Sequence, residues 1–160
     1  MDTSQAETRI AEYEGKRAHV YTDTAGHPSV GIGVNLDRHG AKEALEAVGA
    51  DYDKVRAGEQ DLTDDQISKL FQQDLNQAIS DAGSAVSNFS TLNDPRQFVV
   101  VDMIFNLGSA GFGQFHHAIS AIESQDWETA GEQMKQSSWY SQVGHRAEND
   151  VEMMKTGEWH

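Results

Sequence analysis

Glu14, Asp23 and Ser29 stand within one sixteen-residue span near the start of this sequence. Two carboxyl groups, one kept protonated and one kept ionised, are what hydrolysis of a glycosidic bond usually takes. The pattern around Glu14 predicts that it ends a helix, where the negative end of the dipole disfavours a further negative charge. That favours the protonated form a general acid needs. Asp23 falls in a polar turn, where solvent and backbone donors keep a carboxylate ionised. Ser29 can hold a water against Asp23, and Gly31 and Gly33 leave room for a sugar ring. Chance fits the same spacing. A glutamate before a glycine is commonly a solvated helix end, and an aspartate in a turn is commonly a backbone cap. Among 26 acidic residues an accidental pair is expected, so spacing alone leaves both readings open.

The elements that must position these residues are readable from caps and periodicity. Ser4-Gln5-Ala6-Glu7 reads as a capping box that opens a helix ending at Gly15. Short strands are expected at His19–Tyr21 and Ser29–Val34, around the turn Asp23-Thr24-Ala25-Gly26. In the second strand Val30, Ile32 and Val34 would share a core face, leaving Ser29, Gly31 and Gly33 as a nearly bare docking face. A helix is expected over 41–48, stopped by Gly49. Thr63-Asp64-Asp65-Gln66 is a second capping box, followed by Ile67, Leu70, Phe71, Leu75, Ala78 and Ile79 at helical spacing for four to five turns. Asp94-Pro95 reads as a helix cap with proline in the first turn, and the run Phe98–Phe105 is apolar on nearly all sides, as in a central buried helix. Gly108, Gly111 and Gly113 mark a tight connection. Further helices fit 115–123, 126–137 and 145–156. The expected fold class is α+β and mostly helical, with a small antiparallel sheet in the N-terminal third.

Other chemistry is less favoured. The chain has no cysteine, which excludes disulfides, thiolate metal sites and a cysteine nucleophile. His116 and His117 are adjacent and point to different helix faces, so they are not expected to hold a metal; no cofactor is expected either. Trp127, Trp139 and Trp159 fit packing better than a sugar platform. Asp102, inside the apolar run, is expected to hydrogen-bond to a neighbouring helix end. Twelve Lys and Arg against 26 Asp and Glu give −14, most of the excess falling in residues 62–160. Such a field repels nucleic acid and anionic lipid. The first 20 residues lack an apolar core and no later run approaches membrane-span length, so synthesis in the cytoplasm without membrane insertion is expected.

The run Glu14-Gly15, Tyr21, Asp23-Thr24, Gly26 and Val30-Gly31-Ile32-Gly33 resembles the signature of the phage-type lysozymes, glycoside hydrolase family 24. In that family Glu, Asp and Thr keep this spacing; here Ser29 stands where threonine is usual. The resemblance continues through Leu62–Leu75, Phe105-Asn106-Leu107-Gly108, Trp127, Trp139-Tyr140-Ser141-Gln142, His145-Arg146-Ala147 and Thr156-Gly157-Glu158-Trp159.

The resemblance implies one two-lobed lysozyme domain over 1–160, with the active cleft between the lobes. The sheet-bearing lobe would cover about 15–61, an interlobe helix 62–80 and a helical lobe 81–160, joined by helix 4–14. It implies an inverting endolysin, or muramidase, acting on the β-1,4 bond between N-acetylmuramic acid and N-acetylglucosamine in peptidoglycan. Glu14 would be the general acid, and Asp23 with Ser29 would position or activate water. Arg146 would be the cation pairing with Glu14. Gly33, Asn35, Phe105, Asn106 and Gln133 would bind substrate. A separate holin-type membrane protein would release the monomeric enzyme to the wall.

Three departures accompany the resemblance. Serine lacks the methyl that stiffens threonine. Val34 replaces a histidine that in some relatives pairs with the residue matching Asp74, so that ion pair is expected to be missing. The chain is acidic where most relatives are basic. A non-catalytic wall-binding or virion module of the same fold is the alternative reading, while the retained Asp23 argues against a transglycosylase.

Overall fold

Helix α1, Thr3–Glu14, starts where an aspartate can take its free amides. The Asp2 carboxylate accepts from the Ser4 and Gln5 N–H groups at 3.1 and 3.3 Å, and Ser4 Oγ donates to the same oxygen. The cap is therefore Asp2 and not the expected Ser4, because the helix already begins at Thr3 and places Ser4 inside its first turn. The computed structural model describes residues 1–160. Its elements follow in the order β1 Arg17–Thr22, β2 Pro28–Gly31, β3 Val34–Asn35, α2 Ala41–Ala47, α3 Tyr52–Arg56, α4 Asp64–Ala85, a 3-10 turn at Phe89–Thr91, α5 Asp94–Gly113, α6 His116–Glu123, α7 Trp127–Lys135, α8 Ser138–Val143 and α9 His145–Thr156.

The chain forms two compact units, one of Glu7–Asp74 and one of Met1–Ala6 with Leu75–His160. The first holds the three-stranded antiparallel sheet, in the order β1-β2-β3, with Tyr21 opposite Ser29 and Ser29 opposite Asn35. The expected single strand over Ser29–Val34 is instead a tight hairpin. Gly31 and Gly33 take φ of +66° and +71°, and the chain reverses so that Val30 faces Val34. Val30, Ile32 and Val34 are all buried, but the glycines serve the reversal and do not form a bare strand face. The core of this unit is filled by Ile10, Leu36, Leu45, Val55, Leu62, Ile67, Leu70 and Phe71. Helix α3, not expected from periodicity, is five residues long and capped by the Asp51 side chain on Lys54 N–H.

The second capping box forms as read. Gln66 N–H donates to Thr63 Oγ1 and Thr63 N–H to Gln66 Oε1, at 3.1 and 3.0 Å. Helix α4 then runs 22 residues, about six turns, longer than expected.

In the second unit α5 is the buried centre. Phe98 to Ile104 are all buried, and α9 packs on it as well as on α7. Its N-cap is Asn93, whose side chain accepts from Arg96 N–H, one residue before the expected Asp94. Gly108, at φ +77°, kinks the helix, which then resumes to Gly113. Six-residue α8, capped by Ser137, lies in a stretch not read as helix. Trp139 is buried, Trp159 packs on Phe98 and Arg96 stacks over Trp127.

Candidate functional site

Glu14 is the last residue of α1, and Gly15, at φ +75°, ends the helix there. The β2–β3 turn lies directly against this carboxyl. A β-carbon on Gly33 would stand 3.1 Å from Glu14 Oε2 and 3.3 Å from its Cδ. Gly33 thus has two reasons to be glycine, its positive φ and the close approach of Glu14.

Asp23 closes the turn between β1 and β2. Its Oδ1 accepts from the Ala25 and His27 N–H groups at 2.9 and 2.8 Å, while Asp23 N–H donates to His27 C=O at 2.8 Å. Its Oδ2 accepts from Ser29 Oγ at 3.3 Å, and Ser29 is buried in the sheet between Tyr21 and Asn35. The His27 amide, above all, holds the Asp23 carboxyl below the ordinary carboxylate range, with the Ala25 amide and Ser29 adding to it against partial desolvation. Asp23 is therefore an ionised acceptor with one oxygen fixed by backbone and the other shared with a hydroxyl.

Tyr21 reports that both carboxylates act on one side chain. Burial raises its phenol pKa, the Glu14 and Asp23 charges raise it further, and Arg17, 5.0 Å from the ring centre, opposes them. Glu14, Asp23, Ser29, Gly33 and Asn35 all belong to the Glu7–Asp74 unit. Asn35 Oδ1 is engaged by Asp37 N–H at 2.8 Å.

The remaining expected residues belong to the other unit. Arg146, near the start of α9, grips Asp102 with a two-pronged contact, Nε to Oδ2 at 2.9 Å and Nη2 to Oδ1 at 2.7 Å. Both are buried. Asp102 thus bonds to the first turn of a neighbouring helix, as expected, but through a guanidinium side chain, a stronger partner for a buried carboxylate than one amide. Asn106 Oδ1 accepts from Trp139 Nε1 at 3.1 Å. Leu107, Phe115, Gln133, Gln136 and Trp139 line a cavity of about 550 Å³. Phe105 is half-buried on α5.

Asp74 does have an ion-pair partner. Arg38 donates to both its oxygens at 3.1 and 2.9 Å, so the pair expected to be missing at Val34 is supplied from the loop after β3. Sequence reasoning also missed His27. Its place four residues after Asp23, at the end of the same turn, was the only signal available.

The phage lysozyme family model matches residues 11–151. The chain is 26% identical over 152 residues to "Probable T4-type lysozyme 2" of Dictyostelium discoideum, covering 90% of this chain and 89% of that protein. It is 30% identical over 110 residues to "Endolysin" of Salmonella phage P22, covering 69% and 65%. It is 27% identical over 154 residues to "Pre-baseplate central spike protein Gp5" of Enterobacteria phage T4, covering 90% of this chain and 26% of that protein.

Proposed function

This chain belongs to the phage lysozyme family and is a peptidoglycan-degrading glycosidase; on that premise we propose that Glu14, Asp23 and Ser29 carry its chemistry. Its substrate in this reading is the β-1,4 bond from N-acetylmuramic acid to N-acetylglucosamine. Glu14 gives its proton to the leaving oxygen as the bond breaks. A water on the opposite face of the sugar attacks the anomeric carbon and passes its proton to Asp23. The Ser29 hydroxyl and Asp23 Oδ2 hold that water between them. A single displacement by water inverts the anomeric configuration.

The observation that carries this reading is the division of labour at Asp23. Two amides hold Oδ1 while Oδ2 is left to Ser29, which suits a carboxylate that orients water better than one that forms a covalent bond. Gln133 and the amide-rich cavity around it support contacts to the N-acetyl or peptide groups of the wall. Gly33, Asn35, Phe105 and Asn106 complete the proposed substrate contacts, and Arg146 serves as a supporting cation. No single helix is long and apolar enough to cross a membrane. We assign the enzyme to the host cytoplasm at synthesis, as a monomer reaching the wall with a holin-type partner.

Glu14→Gln tests the assignment. The variant is expected to fold normally and to lose at least ~100-fold in wall hydrolysis, while the wild type yields reducing muramic ends of inverted configuration. Anhydro products would mean elimination in place of hydrolysis. A wild type that binds walls without turnover would favour the non-catalytic virion or wall-binding module, the reading that the spike-protein relative keeps in view.

A further inference from the structure

The turn that holds Asp23 is exposed, since Thr24, Ala25 and Gly26 all face solvent. Their side chains offer nothing that ties it down. Yet both amides that fix Asp23 Oδ1 come from this turn, so the direction of the carboxylate is only as definite as the turn. His27 ends the segment, supplies the shorter of the two amide bonds and returns its carbonyl to Asp23 N–H.

The His27 side chain is anchored outside the turn. Its Nδ1 lies 3.1 Å from Asp37 Oδ2. Asp37 Oδ1 is held by Arg56 Nη1 at 2.6 Å, the same guanidinium nitrogen donates to Tyr52 Oη at 3.1 Å, and Tyr52 Oη donates to Leu36 C=O at 2.6 Å. Leu36 N–H then donates to Pro28 C=O at 2.8 Å, one residue from His27. The connections form a closed ring from the end of the turn through α3 and back to β2. His27, Asp37 and Arg56 are each about 40% exposed, and ion pairs that open to solvent contribute little to global stability. What the ring fixes is local, namely where the His27 backbone sits and hence where its N–H points.

We propose that His27 is a positioning residue for Asp23, acting through its side-chain bond to Asp37 and the Arg56–Tyr52 brace behind it. The proposal rests on the reading of Asp23 as the water-orienting carboxylate. Anchored, His27 holds Asp23 Oδ1 so that Oδ2 meets Ser29 and the attacking water. Released, the turn samples other directions and fewer encounters are productive, which lowers turnover and leaves sugar binding alone.

His27→Ala, His27→Asn and Asp37→Ala test it with two readouts. On wall glycan, His27→Ala and Asp37→Ala are expected to lower kcat about tenfold with KM within about twofold and little change in Tm. Asparagine places an amide nitrogen where Nδ1 stands, so His27→Asn should recover most of kcat. The double variant His27→Ala/Asp37→Ala should fall no further than either single one. Independently of turnover, the Asp23 side-chain carbon signal in NMR should titrate at higher pH in both alanine variants and return toward the wild-type midpoint in His27→Asn. An unchanged kcat, a loss confined to KM, or equal losses for alanine and asparagine overturns the proposal. Should the wild type show no turnover, the lysozyme reading fails, and the titration still decides: an unmoved Asp23 midpoint refutes the positioning role.

Discussion

Gly33→Ala separates the geometry of the site from the stability of the fold. An alanine at φ +71° is forced into the left-handed region, which costs roughly 1–2 kcal/mol for a residue with a β-carbon. The new β-carbon also stands 3.1 Å from Glu14 Oε2, closer than carbon and oxygen tolerate, so the carboxyl must move by a few tenths of an ångström. A misplacement near 1 Å at a reacting group costs about 100-fold in rate; a third of that displacement costs about three- to tenfold. Gly40→Ala is the matched control. Its φ is +83°, and its added β-carbon meets nothing within 4 Å. Urea unfolding should show similar destabilisation of the two variants. Turbidity loss of permeabilised cells, taken at a temperature where both are folded, should show reduced turnover only in Gly33→Ala. If the two variants keep equal activity, the contact between the β2–β3 turn and Glu14 does not set the position of the acid.

Arg146→Met leaves the Asp102 carboxylate buried without its fork and should cost about 3–5 kcal/mol, read by chemical denaturation, whereas Asp102→Leu/Arg146→Met should cost clearly less because no charge stays stranded. Ser29→Ala removes the weakest of the three bonds that hold down the Asp23 pKa. If ionised Asp23 sets the acid limb of the pH–rate profile, that limb should therefore move upward, by less than any change that disturbs the His27 amide. The same sign governs stability: what the ionised Asp23 contributes is present above its unfolded pKa and lost as pH falls through the lower folded one. Finally, a chain of charge −14 is repelled by an anionic wall over about 30 Å at 0.01 M salt but only about 8 Å at 0.15 M, so initial lysis rates should rise with added salt; a steady fall would refute this.

What was legible in the sequence is what local chemistry decides. The Thr63–Gln66 box forms because its partners lie three residues apart and meet wherever a helix begins. The helix stop at Glu14 and the turn at Asp23 were readable because both are local patterns, whereas spacing alone left their pairing open and only the family resemblance singled it out. Short-range readings failed where two local solutions compete. Asp2 opens α1 ahead of Ser4, accepting from the Ser4 and Gln5 N–H groups and from the Ser4 hydroxyl. Alternating Val30, Ile32 and Val34 mimics one strand, because a tight hairpin with two positive-φ glycines buries the same three side chains. Helices of five and six residues, α3 and α8, are too short to show a period. The pairings His27–Asp37, Arg38–Asp74 and Arg146–Asp102 span 10, 36 and 44 positions. No spacing rule ties such residues together until the fold does.

Arg38 shows what a position-by-position comparison leaves out. Val34 is buried opposite Val30 in the hairpin, so the position at which the family resemblance led us to expect a missing ion pair belongs to the core. The carboxylate that a histidine there would pair with is still present as Asp74, and it is still bound, by both prongs of Arg38. The exchange changes the physics of the tie. A histidine holds a carboxylate firmly only while protonated and loses its charge within the neutral range, whereas an arginine keeps its charge throughout and offers two parallel donors. The link between the loop after β3 and α4 is therefore a two-pronged guanidinium–carboxylate tie. In this chain Val34 adds its side chain to the buried face of the sheet, and the electrostatic restraint on Asp74 comes from Arg38, four residues further along.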